Sequence, residues 1–188
     1  MVDILETIAG TVWLAVILLV YITEVIQVGE QWWGYINAMF FMGLIFGSVY
    51  CLKFDLFIEK RMGNFILSGS LLSSIATLLF SFNHVAWLAL ILSFCVGFFG
   101  QVKSIPQQTI IQTSVSQEKL PTVYTSLGAI TTVVFGVSSL MVGVVADLVG
   151  VRVVFGISAS ILALVSLLIY RNRHLFNQIG IEADRSEE

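Results

Sequence analysis

The residues able to do chemistry are few and far apart. The 188-residue chain has two histidines, two cysteines, 12 Asp and Glu and nine Lys and Arg. His84 falls at a turn and His174 in a polar tail, so they cannot form one catalytic centre within a monomer. Cys51 and Cys95 sit in different apolar runs without metal-ligand spacing and read as small apolar residues. No His-Glu-x-x-His, Gly-x-Ser-x-Gly or phosphate-loop run occurs, so the sequence reads as a non-enzyme with neither cofactor nor metal. What remains is polar groups set within apolar runs, where a charge is costly and usually functional. Glu24 lies about 28 Å along the first such run and Lys103 about 27 Å along the fourth. Both stand near a boundary, where they reach water by snorkelling or act as gate or coupling residues. Trp13, Asn37 and Gln101 complete the candidates for lining a substrate pathway.

The elements that must position these groups are helices in a membrane. Hydrophobic residues make up 57% of the chain and charged residues 11%, against roughly 45–50% and 25% in soluble domains. Six apolar runs, most near the ~20 residues that cross a bilayer, fill most of the length. Helices are expected at about 5–26, 33–52, 64–82, 85–112, 121–145 and 152–170. They form a transmembrane bundle over 1–171, followed by a polar tail over 172–188. A barrel would need alternation over segments of about ten residues, and these runs are apolar all round. Pro121 suits the first turn of the fifth helix. No basic stripe marks a nucleic-acid partner; the partner implied throughout is the lipid bilayer.

Basic residues set the orientation. With the N-terminal end inside, Lys53, Lys60, Arg61, Lys119, Arg171, Arg173 and Arg185 fall on the inner side and Arg152 alone on the outer side. The expected topology therefore has both termini cytoplasmic in a multi-pass protein of the cell membrane. The N-terminal end lacks a basic region and a cleavage site, so the first run is expected to stay in the mature protein. Before that run stand Asp3 and Glu6 and no Lys or Arg, which suggests that a stretch of chain precedes it. Around the midplane, near Ala15, Leu44, Ser73, Cys95, Val133 and Ile161, no ionisable group occurs.

Small residues four apart let helix backbones approach closely. Gly43 and Gly47, Ser93 and Gly97, Gly128, Thr132 and Gly136, and Gly156 and Ser160 have this spacing and are expected at helix contacts. Helix 3 carries Ser68, Ser70, Ser73, Ser74 and Thr77, which read as a packing face.

Two links share a pattern. Glu59-Lys60-Arg61-Met62-Gly63 follows the second helix, and Gly143-x3-Asp147-x2-Gly150-x-Arg152 follows the fifth. Each sets an acidic residue three or four positions before a glycine that opens the next helix, where the carboxylate can meet free N–H groups. Each lies between the second and third helix of a triplet. Three is odd, so the triplets insert in opposite senses, as an inverted 3+3 repeat.

Here the sequence resembles the major facilitator superfamily of transporters. Gly143, Asp147, Gly150 and Arg152 look like its loop signature, with Lys60, Arg61 and Gly63 as a degenerate copy. The stretch from Glu24 to Asn37 resembles the boundary of the seventh and eighth helices in the macrolide-efflux-like branch. Gln108 to Glu118 resembles the inner end of the tenth, although Lys119-Leu-Pro replaces the Gly flanked by arginines usual there. The resemblance covers about residues 3–176 and only the second half of a twelve-helix protein. It implies half of a secondary active transporter that exports small amphipathic compounds by alternating access, with proton coupling. It also implies a second six-helix half, either another copy or a separate N-terminal bundle. The residues alone leave two other readings open, a truncated remnant that does not transport and a membrane interaction or scaffold protein.

Overall fold

The computed structural model describes the backbone of residues 2–13, 15–59 and 61–186, and the side chains of these except 15, 59 and 172–186. Lys60, expected in the degenerate loop signature, lies outside the described residues. Helices α1 (Val2–Gly10) and α2 (Ala15–Val20) share the first apolar run. Next come α3 (Gln31–Lys53), short α4 (Asp55–Glu59), α5 (Met62–Phe82), α6 (Ala86–Ser114), α7 (Leu120–Val149) and α8 (Val151–Ser186). Five helices are long and apolar enough to cross a membrane, and the α1–α2 pair makes a sixth if counted as one bent span.

Three features depart from the expected elements. The first run is broken and not one straight helix. The link after α3 contains α4, whose first N–H, on Leu56, is capped by Asp55 Oδ1 at 2.7 Å. The backbone of α8 stays helical to Ser186, well beyond the expected boundary at 171.

Local chemistry fixes the reversals. Between α5 and α6, Asn83 Oδ1 accepts from the Val85 N–H at 2.8 Å and Asn83 Nδ2 donates to Val85 O at 2.9 Å. One buried amide thus sets the start of α6. Between α7 and α8, Gly150 has φ +89°, which L side chains rarely adopt, and its N–H closes α7 on Ala146 O. Within α6, Pro106 cannot donate to the Val102 carbonyl one turn back.

The main core joins the first span to the ends of α5 and α8 through Leu18, Tyr21, Ile22, Phe80, Val154 and Phe155. A second cluster ties α5 to the far part of α8 through Ile66, Val165 and Ile169. Hydroxyls cross the α5–α8 seam: Ser70 bonds Ser166 at 2.8 Å, and Ser74 donates to Ala159 O at 3.0 Å. The expected serine face, carried by α5, therefore meets α8. Across the α3–α6 seam, Ser93 donates to Ile36 O at 2.8 Å. A Cβ placed on Gly43 would lie 2.2 Å from Phe94 O, and one on Gly97 2.2 Å from Phe40 O. Only glycine fits either position.

Helix α7 differs. Only 6% of its span is buried. A Cβ on Gly128 or Gly136 would meet nothing within 4 Å, so the helix contact expected there is not formed within this chain. Thr132 instead donates back to Gly128 O at 2.7 Å. Gly156 is closer to a neighbour, with Ser81 Oγ at 3.7 Å.

Candidate functional site

The site is built on the broken first span. Thr7 and Thr11 each donate a hydroxyl to the carbonyl four residues back, Asp3 O at 2.7 Å and Thr7 O at 2.8 Å. Such back-bonding bends helices. The turn Thr11–Trp13 then tightens to a 3₁₀ form. The pieces Val2–Trp13 and Val16–Ile26 are inclined by 42°. Broken backbone survives at membrane depth only where protein re-satisfies it. Here the Ser158 hydroxyl of α8 donates to Ala9 O.

Trp13 fills the break. Its ring packs on Phe80 at 4.8 Å, Phe155 at 5.7 Å and Phe40 at 6.2 Å between centroids. Among the described residues its buried Nε1–H has no acceptor. A buried donor left open in this way is uncommon and points to a ligand or ordered water.

Farther along, Tyr21–Ile26 widens into a π turn. The buried Tyr21 hydroxyl meets carbonyls at the end of α5, Phe80 O and, at 2.8 Å, Asn83 O. It donates to one at a time. Gln27, at φ 58°, ends the span in the left-handed region.

At the other end of the span, Lys103 Nζ meets Glu6 Oε2 at 2.9 Å, with side chains 11% and 15% exposed. Gly69 makes room for the lysine stem: a Cβ there would stand 2.8 Å from Lys103 Cβ and from Phe99 O. Glu6 Oε1 is buried and, among the described residues, has no partner. The carboxylate therefore spends one oxygen on α6 and keeps the other free to accept from a cation, a water or a proton.

The expected pathway residues are only partly gathered here. Trp13 sits at the break of the first span, and Lys103 faces that span from α6. Lys103 takes Glu6 as its partner, and Glu24 is exposed on the π turn. Asn37 spends its amide on Trp33 O at 2.8 Å, one turn back on its own helix. Gln101 stands on the α3–α6 seam, its Cβ 2.9 Å from where a Gly47 Cβ would be.

Arg61 stacks 5.5 Å over the Phe57 ring, and Gly63 is buried at the start of α5. Asp147 is exposed and, among the described residues, accepts no hydrogen bond. The expected carboxylate cap on α8 is therefore not made. A Cβ on Gly143 would meet nothing within 4 Å, and Arg152 donates to His84 Nε2.

Glu6, Tyr21, Gly69 and Ser158 were missed from sequence. Glu6 was read as part of a polar end. A usable signal existed: Glu6 and Lys103 have opposite charge, and the expected topology sets the start of the first run and the end of the fourth on the same side of the membrane. Among the described residues, no group of three or more His, Cys, Asp or Glu could hold a metal.

These features define an all-helical, multi-pass membrane protein. Over 167 residues, 89% of this chain, it is 39% identical to a Bacillus subtilis protein named uncharacterized MFS-type transporter YjbB. Over 166 residues it is 31% identical to a second from the same organism, uncharacterized MFS-type transporter YfmI. The aligned part is 41% of each relative, so the chain spans about two fifths of their length. These relatives support membership of the major facilitator superfamily, and both are named as transporters. No family model matches the chain, and no solved structure matches it.

Proposed function

We propose that this chain is one six-helix half of a major facilitator transporter that exports small amphipathic compounds by alternating access. The observation that carries the reading is the broken first span. It holds an open indole N–H in an aromatic cluster at the break and an open carboxylate oxygen on Glu6. Discontinuous helices with unspent polar groups are where secondary transporters bind substrates and coupling ions. The aromatic walls suit a flat apolar body, and Glu6 suits a proton or an amine. Both termini are cytoplasmic in this proposal, and the membrane is the cell membrane.

One half supplies one wall of such a site. The second six-helix half, a further copy of this chain or a separate bundle, covers α7. The supporting observations are the open Gly128–Gly136 face and the two-fifths coverage of the relatives.

The test is efflux of a fluorescent amphipathic cation from cells expressing the chain alone, or with a bundle encoded upstream of it. Efflux that stops when the proton gradient is collapsed, and that Glu6→Gln uncouples from the gradient, is the expected result. Capture of another membrane protein without transport would replace the proposal with a scaffold. Insertion with neither would leave a non-transporting remnant.

A further inference from the structure

Helices α5 and α8 border an open groove of about 740 Å³, whose mouth lies at the opposite end of the bundle from the Glu6–Lys103 pair. That lies within the roughly 300–1,000 Å³ of small-molecule sites. Arg152 and His84 stand at its mouth, and Ile157, Leu164 and Leu5 line its length.

The mouth is an organised cation. His84 Nδ1 lies 2.9 Å from Phe82 O, a carbonyl, so Nδ1 carries the hydrogen and donates. Nε2 is then free to accept from the Arg152 guanidinium, as it does. In this tautomer the imidazole steers the arginine and brings no negative charge to cancel it. Among the described residues no carboxylate pairs with Arg152. A guanidinium has five N–H donors, so most of the fork stays open for phosphate oxygens. The first turn of α8 adds backbone N–H groups of the same polarity.

Below the mouth the groove is apolar in effect. Ser81 spends its hydroxyl on Arg152 O and Ser160 on Gly156 O, both at 2.9 Å. From Arg152 to Leu164 the groove follows α8 for about 18 Å. One leaflet of a ~30 Å hydrocarbon core is about 15 Å deep. A phosphate-binding fork at a membrane boundary, above an apolar channel one leaflet deep and open to the bilayer, matches one kind of molecule.

We infer that this groove is a binding site for an anionic phospholipid of the leaflet on the Arg152 side. The phosphate sits on Arg152, held in place by His84, and an acyl chain runs past Ile157 to Leu164 and Leu5. The site is separate from the first-span break and does not depend on the transport proposal.

The test is native mass spectrometry of the full chain, delipidated in mild detergent and titrated with dioleoyl phosphatidylglycerol or dioleoyl phosphatidylcholine. Phosphatidylglycerol should be retained about fivefold more tightly, the scale of one basic residue at a membrane surface. Arg152→Gln should erase that preference with helicity by circular dichroism unchanged, and Arg152→Lys should keep part of it. Ser160→Trp, which blocks the channel without touching the mouth, should weaken both lipids. Equal retention of the two lipids by the unaltered protein would overturn the proposal, as would a preference that survives Arg152→Gln. Displacement of phosphatidylglycerol by inorganic phosphate would reduce the site to a bare anion site. A dimer lost on Ser160→Trp would make the groove a contact between copies instead.

Discussion

Helices α3 and α7 hold the same place in their triplets, and each carries small residues four apart. Along α3, Gly43 and Gly47 face the backbone of α6 so closely that a single Cβ would collide with it. Along α7, Gly128 and Gly136 face open space, and their threonine neighbour bonds back within its own helix. The spacing is permission for close approach, not a cause of it. What decides is whether a second backbone is available. For α3 it is α6, with Gly97 opposite. For α7 no helix among the described residues takes that place.

The comparison can be broken or sharpened by substitution. The largest effect is expected beside the seam, where α6 also carries Lys103. Lys103→Met leaves Glu6 buried and unpaired and should cost about 3 kcal/mol in a detergent unfolding titration. Adding Glu6→Gln should recover most of that loss. If it does not, the lysine stem matters more than its charge. Gly97→Leu comes next, at about 2–3 kcal/mol by overpacking. Gly136→Leu in the same titration should change stability by less than about 0.5 kcal/mol. A large loss there would show that α7 is closed by a second copy already present in the detergent particle. A small but measurable loss is expected of Ser93→Ala, which removes the bond to Ile36 O and should cost about 0.6 kcal/mol, the scale of interhelical hydrogen bonds in membranes.

The spans were legible because lipid permits few solutions. A run of about 20 apolar residues must close its own backbone hydrogen bonds, and length then gives the element. The places of Gly43, Gly47 and Gly97 were also readable, since nothing larger fits where backbones touch. The break at Thr11–Trp13 was not. It arises where Ser158, far along the chain, supplies a hydroxyl to Ala9 O, and no local pattern announces that partner. The two threonines four apart were the only near-range sign. Lys103 was visible as a charge, but its depth along α6 gives no information on which helix stands opposite. Asp147 shows the reverse failure. Its spacing before Gly150 suited a cap, yet the glycine N–H is taken by Ala146 O and the carboxylate is left in the open.

The Glu6–Lys103 pair also has a bearing on how the protein is made. Glu6 leaves the ribosome near the start of this segment, and its lysine follows roughly a hundred residues later. At ~5–20 residues per second that is a wait of about 5–20 s. During it the carboxylate waits without Lys103, and the first span should ride high, with Glu6 held at the lipid headgroups. It sinks to its final depth when α6 arrives. Joining of the first and fourth spans is thus a late event in synthesis, and a translation-arrest force sensor should register a second pull as residue 103 enters the bilayer, one that Lys103→Met abolishes.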